Sequence, residues 1–112
     1  MNPVSDIPNI KKLTIIYRVE PGGLGPNGKQ QINEFCQFAE DKFRQLDSLF
    51  LIWDIQPRSD KRLPEIQFQF MRKNISHQQA TIYLEKIGKN ITQFSNEIDD
   101  EMANYIDMFL SR

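Results

Sequence analysis

Apolar and polar positions along this chain follow two periods, and each period marks an element. From Leu13 to Val19, the apolar residues Leu13, Ile15, Tyr17 and Val19 alternate with Thr14, Ile16 and Arg18. A period of two describes a half-buried strand. Residues 49–55, Leu-Phe-Leu-Ile-Trp-Asp-Ile, form the most apolar run and do not alternate. A run of this kind, too short for an independent helix, describes a strand covered on both faces and set deep in a sheet. Residues 65–72 alternate again, with Ile66, Phe68 and Phe70 against Gln67, Gln69 and Met71. They predict a third strand, paired with the second as a long-looped hairpin.

Between the first two strands the period changes to that of a helix. Ile32, Phe35, Cys36, Ala39, Phe43 and Leu46 fall on one stripe, widened by Phe38. Asn27, with Gln30 three residues on, predicts a capping box at its start. After the third strand Ser76 and Gln79 repeat that signature, and apolar residues recur at Leu84, Ile87, Ile91, Phe94, Ile98, Met102, Tyr105 and Phe109. Gly88 interrupts this stretch, either as the cap between two helices or as an interior glycine costing about 1 kcal/mol relative to alanine. One unbroken helix would run about 50 Å. A domain of this size has a radius of gyration of about 13 Å, so two helices are favoured.

The order β-α-β-β-α-α predicts a two-layer α+β sandwich: a three-stranded mixed sheet with helices on one face. It resembles the ferredoxin-like element order with the fourth strand replaced by a helix. In that arrangement the third strand lies between the other two, and the apolar second strand stands at an edge. Exposed apolar edges invite association, so the pattern leads us to expect a homodimer, formed through that strand or the C-terminal helical region. Residues 1–10 carry Pro3 and Pro8 and no periodicity. They are expected to form a flexible arm ahead of a single domain over residues 11–112.

Composition changes this picture mainly by exclusion. The 112 residues hold 39% hydrophobic and 26% charged residues, which is ordinary for a globular chain. The formal net charge of −1 supplies no global field toward nucleic acid or an anionic membrane. No apolar run approaches the length of a membrane span, and the N-terminus lacks a signal-peptide pattern. With one cysteine, Cys36, no internal disulfide can form, and a cytoplasmic location is expected.

The sharpest chemical pattern is Gly23-Leu-Gly25-Pro-Asn-Gly28-Lys29, which follows a strand and precedes a helix. Its letters match both a dinucleotide turn and most of a P-loop. Gln30 stands where a P-loop needs a hydroxyl for Mg²⁺, and Pro26 removes a backbone donor, so no nucleotide cofactor is expected. Parallel first and second strands would nevertheless bring this turn to the same pole as the loop carrying Arg58, Lys61 and Arg62. A helix N-terminus among cations can hold an anion. Gly25, Gly28, Lys29, Arg58, Lys61 and Arg62 are therefore the candidate anion-binding residues.

No catalytic residue or metal ligand is assigned. His77 is the only histidine and has no identifiable partner, Cys36 lies on a buried stripe, and one of each cannot complete a zinc site. Glu97, Asp99, Asp100 and Glu101 suit a first helical turn if a helix starts near Ser95. Phe68 and Phe70 suggest RNA-stacking rings, but the glycine-containing half of that signature is absent. The functional expectation is a non-enzymatic protein-interaction or regulatory module acting as a homodimer. The alternative is a binder of anions or phosphate-containing small molecules at the glycine-rich pole.

Overall fold

The computed structural model describes residues 11–112; the expected N-terminal arm lies outside the described residues. Its elements are β1 (Leu13–Val19), a 3₁₀ turn (Pro21–Leu24), α1 (Gly28–Phe43), β2 (Leu51–Pro57), β3 (Ile66–Phe70), β4 (Lys73–Ile75), α2 (His77–Lys86) and α3 (Ile91–Leu110). The mixed α+β class holds, but the sheet has four strands in the order β2-β1-β3-β4.

The expected hairpin between the second and third strands does not form. β2 runs parallel to β1, with Ile15 opposite Trp53, and β3 pairs antiparallel with the other side of β1, with Ile15 opposite Phe68. The connecting loop crosses the end of β1 and is tied there by backbone bonds. The Arg58 N–H donates to Val19 O (2.8 Å) and the Arg18 N–H to Glu65 O (2.8 Å). Arg18 adds two side-chain bonds, Nη1 to Pro64 O (2.7 Å) and Nη2 to Gln67 Oε1 (2.8 Å). The residue that alternation places on a polar face is thus buried, at 7% exposure.

β1, not β2, is the central strand, and it is buried on both sides for most of its length. In β2, Leu51, Trp53 and Ile55 are buried while Ile52 and Asp54 are only half-buried, so only one face is in the core. Those three join Leu13, Ile15, Tyr17, Val19 and Phe68 in a single cluster with residues of all three helices. The helices therefore share one face of the sheet. Phe43 locks α1 to β2 and α3, stacking on Trp53 at 4.6 Å and meeting Tyr105 edge-on at 4.9 Å. Leu46, expected on the buried stripe, lies beyond the helix end and is exposed. Its carbonyl accepts the Trp53 Nε1–H (3.0 Å).

β4 has no counterpart in the sequence reading. It follows a two-residue turn, Met71-Arg72, in which both residues have positive φ (51° and 67°). Hairpin turns of this kind usually carry Asn or Gly, so the turn leaves no compositional signal. By contrast, the division of the C-terminal stretch into two helices is as expected. Gly88 (φ 82°) ends α2, its N–H donating to Glu85 O (3.0 Å) while the Lys89 N–H donates to Leu84 O (2.8 Å). These are the two bonds of a Schellman motif. The Ser76–Gln79 capping box is also present, with bonds of 3.1 and 2.9 Å.

The free edge of β2 is blocked in part by the chain itself. Leu51, Trp53, Ile55 and Pro57 turn their backbone groups away from β1, by the alternation of a strand. The Leu51 N–H donates to Asp47 O (3.1 Å) and the Ile55 N–H to Glu40 Oε1 (3.0 Å). Pro57 has no N–H to offer. Arg44 holds the second oxygen of Glu40 at 2.7 Å. Glu40→Ala should leave the Ile55 N–H without its acceptor, costing about 1–2 kcal/mol, and should unblock the edge. A urea melt combined with turbidity on heating checks both; unchanged values would show that the carboxylate does not guard this edge.

Candidate functional site

One position of the glycine-rich turn, Gly28, is set by close packing. After β1 the chain makes the 3₁₀ turn, and Gly25 reverses direction with φ 89°. Gly28 then begins α1 directly against that turn: a Cβ here would lie 1.7 Å from Pro21 O. Asn27 makes no side-chain capping bond, so the expected capping box is absent. Instead the Gln30 and Gln31 N–H groups donate to the backbone oxygen of Asn27 (3.1 and 3.2 Å), and the Gly28 N–H donates to Gly25 O (3.0 Å). Two first-turn amides, those of Gly28 and Gln30, are thereby engaged.

The topology does bring this turn and the β2–β3 loop to one pole, where Arg58 Nη1 lies 3.4 Å from Glu20 Oε1. Arg58 Nη2 also reaches the carbonyl oxygens of Leu63 (3.0 Å) and Lys61 (3.4 Å), so its guanidinium shapes its own loop. Arg62 pairs with Asp60, Nε to Oδ1 at 3.0 Å. That pairing holds the Asp60 carboxyl below its ordinary range. Lys29 and Lys61 make no salt bridge among the described residues. A cavity of about 150 Å³ at the same pole includes Gly23 in its lining, together with the carboxylate-bearing Glu20 and Glu65. Tyr17 lines it too, and its phenol is pushed up by burial and then by Glu65 and Asp99.

The other candidate groups are dispersed. His77 is exposed at the start of α2. Cys36 is buried, and its thiol is pushed up to about 11 by burial, Glu40 and Asp54. The form retained at neutral pH is the thiol, whereas a nucleophile needs the thiolate. Because α3 begins at Ile91, capped by Asn90, the acids 97–101 fall mid-helix and not in a first turn. No group of three or more His, Cys, Asp or Glu side chains suited to a metal comes together among the described residues. Phe68 is in the core, and Phe70 packs on Tyr83 with ring centres 5.6 Å apart. Both rings therefore lie on the helix side of the sheet.

A different concavity, built partly on β4, was not visible in the sequence. It is a groove of about 240 Å³ between α2 and the β3–β4 hairpin, lined by Phe70, Ile75, Gln79, Ile82, Tyr83 and Lys86. Ala80 and Leu84 turn the other side of α2 into the core, which leaves Ile82 51% exposed on the groove. Met71, also 51% exposed, sits at the hairpin tip beside Phe70. Lys73 lies opposite Phe70 across the β3–β4 ladder and so shares its face of the sheet. Tyr83 is fixed by its hydroxyl, which reaches the carbonyl oxygens of Phe50 (2.9 Å) and Lys11 (3.1 Å). The one available sequence signal was Ile82 itself, an apolar residue off the buried stripe.

No helix of the described residues is long and apolar enough to cross a membrane. Compared with known protein families, curated proteins and solved structures, the chain matches none at a significant level.

Proposed function

We propose that the protein is a cytoplasmic, non-enzymatic protein-interaction module that docks partners in the groove between α2 and the β3–β4 hairpin. The observation that carries this reading is the exposure of Ile82 beside a concave apolar lining. Apolar patches on a monomer's surface are kept small unless they bind something. The groove, at about 240 Å³, is below the roughly 300–1,000 Å³ of small-molecule sites. It suits one or two anchoring side chains of a polypeptide better than a cofactor.

The homodimer expected from the apolar second strand is not part of this reading. The apolar face of β2 is roofed by the helices and its edge is partly blocked by Asp47, Glu40 and Pro57. Selection of binders from a random-peptide display library tests the proposal. Most binders should be lost with the surface variant Ile82→Asp; binders indifferent to that change would sink it.

A second reading, anion binding at Gly25, Gly28, Lys29, Arg58, Lys61 and Arg62, draws on Lys29 and Lys61, which make no salt bridge among the described residues. The engagement of both arginines and the nearby Glu20 and Glu65 favour it less. Phosphate titration followed at the amides of residues 25–29 decides it; absence of shifts at millimolar phosphate removes it.

A further inference from the structure

We propose that the α2/β3–β4 groove is specific for an acidic amphipathic segment of another protein, whose apolar side chains fill the groove while its carboxylates meet Lys73 and Lys86. This rests on the interaction-module reading and adds the chemistry of the partner. Lys86 is part of the lining, and Lys73 stands on the same face as Phe70. Neither makes a salt bridge among the described residues, and no acid belongs to the lining. Arg72 adds a third cation at the hairpin tip, and α2 carries one acid, Glu85. Such cations select partners by charge while the apolar floor supplies the anchor. A helix laid in a groove presents anchors at i, i+3 or i+4, and i+7, leaving its flanks free for acids.

Two other occupants fit the same face less well. A second copy docked symmetrically, groove to groove, would set the lysines of each protomer against those of the other. A second copy offering its acidic α3 would make a head-to-tail contact, which builds rings or open assemblies and not a simple pair. An anionic membrane would meet a concave site on a protein whose net charge is −1 and whose α3 carries Glu97, Asp99, Asp100, Glu101 and Asp107 with no Lys or Arg. A concave site takes a projecting side chain more readily than a flat lipid surface.

The test uses synthetic peptides of about fifteen residues with Leu or Phe at helical anchor spacing. One carries Glu on its flanks, a twin carries Lys there, and a third keeps Glu but replaces the anchors with Ala. Amide shifts are followed by NMR on the full chain. The Glu peptide should shift Ile75, Ile82, Tyr83 and Lys86. It should bind about tenfold tighter than the Lys twin, and weaken about tenfold in Lys73→Glu/Lys86→Glu. Raising salt from about 50 mM to about 500 mM should narrow that preference. Both substitutions are on exposed side chains, and unchanged thermal melting confirms the fold. The Ala peptide should not bind.

Equal binding of the Glu and Lys peptides at the groove overturns the acidic specificity and leaves the interaction reading standing. Shifts that avoid the groove with every peptide overturn both. Lysine-dependent binding to phosphatidylserine vesicles without peptide binding overturns the proposal in favour of a lipid surface. Concentration-dependent self-association abolished by Ile82→Asp overturns it in favour of a second copy.

Discussion

Gly28→Ala is expected to lose about 3 kcal/mol of stability or more, at the upper end of what added volume costs in a tightly packed site. The new methyl carbon would sit 1.7 Å from the carbonyl oxygen of Pro21 and 2.7 Å from its carbon. Both are backbone atoms, so no side-chain rotation relieves the clash. The 3₁₀ turn would have to move away from α1, and that turn carries Leu24, which is 2% exposed in the core. Natural domains hold only roughly 5–15 kcal/mol in total. A loss of this size should lower the melting temperature by roughly 12 °C. Gly25→Ala is the informative companion. Its φ of 89° with ψ of −164° belongs to a region essentially reserved for glycine, but a Cβ there meets nothing within 4 Å, and the expected cost is about 2 kcal/mol. Urea denaturation of the pair separates close approach from backbone conformation. Equal losses would show that the contact with Pro21 does not set the packing of the turn.

Phe43→Ala should cost about 3–5 kcal/mol, the usual range for removing a buried aromatic ring. Phe43 has no exposed surface and is the contact through which α1, β2 and α3 meet. The cavity would lie directly against Trp53, the single tryptophan. Its stacking partner would be gone while its Nε1–H bond to Leu46 O remains. Fluorescence of the folded variant should shift to the red, and equilibrium unfolding should show the loss. Phe38→Ala, at a half-buried position on the same helix, should lose clearly less. A small effect at Phe43 would mean that the three elements do not depend on this junction.

The sequence made some of this fold legible because certain features are periodic or local. β1 was readable to its ends because its apolar residues recur at every second position, although Ile16 and Arg18 are buried too, and Gly88 was readable because a left-handed helix end favours a residue without a Cβ. Strand order was not readable. The passage of the chain across β1 is held by contacts between residues far apart in the chain, Arg18 with Pro64 and Gln67 and the Arg58 N–H with Val19 O. The apolar run at 49–55 was misleading for a related reason. Phe50 and Leu49 add hydrophobicity ahead of the strand, but Leu49 is exposed at 44% and only every second residue from Leu51 enters the core.

The candidate sites divide in the same way. Cations at the glycine-rich pole could be named from the sequence, but not that Arg58 and Arg62 are held by Leu63, Lys61 and Asp60. Gly28 was named as a candidate anion-binding residue, whereas its requirement comes from Pro21, a neighbour in space that no pattern encodes. The groove was hidden because it uses β4, and β4 depends on a turn made by Met71 and Arg72, residues that do not announce one.

The placement of α3 has a consequence for synthesis of the chain. Its buried residues Phe94, Ile98, Met102, Tyr105 and Phe109 cover a surface formed by elements that all precede it. A ribosome therefore delivers the strands and α1 while their shared apolar face still lacks its lid. Through that interval the nascent chain exposes Phe35, Phe43 and Trp53, a state that favours aggregation or chaperone capture until the final helix emerges.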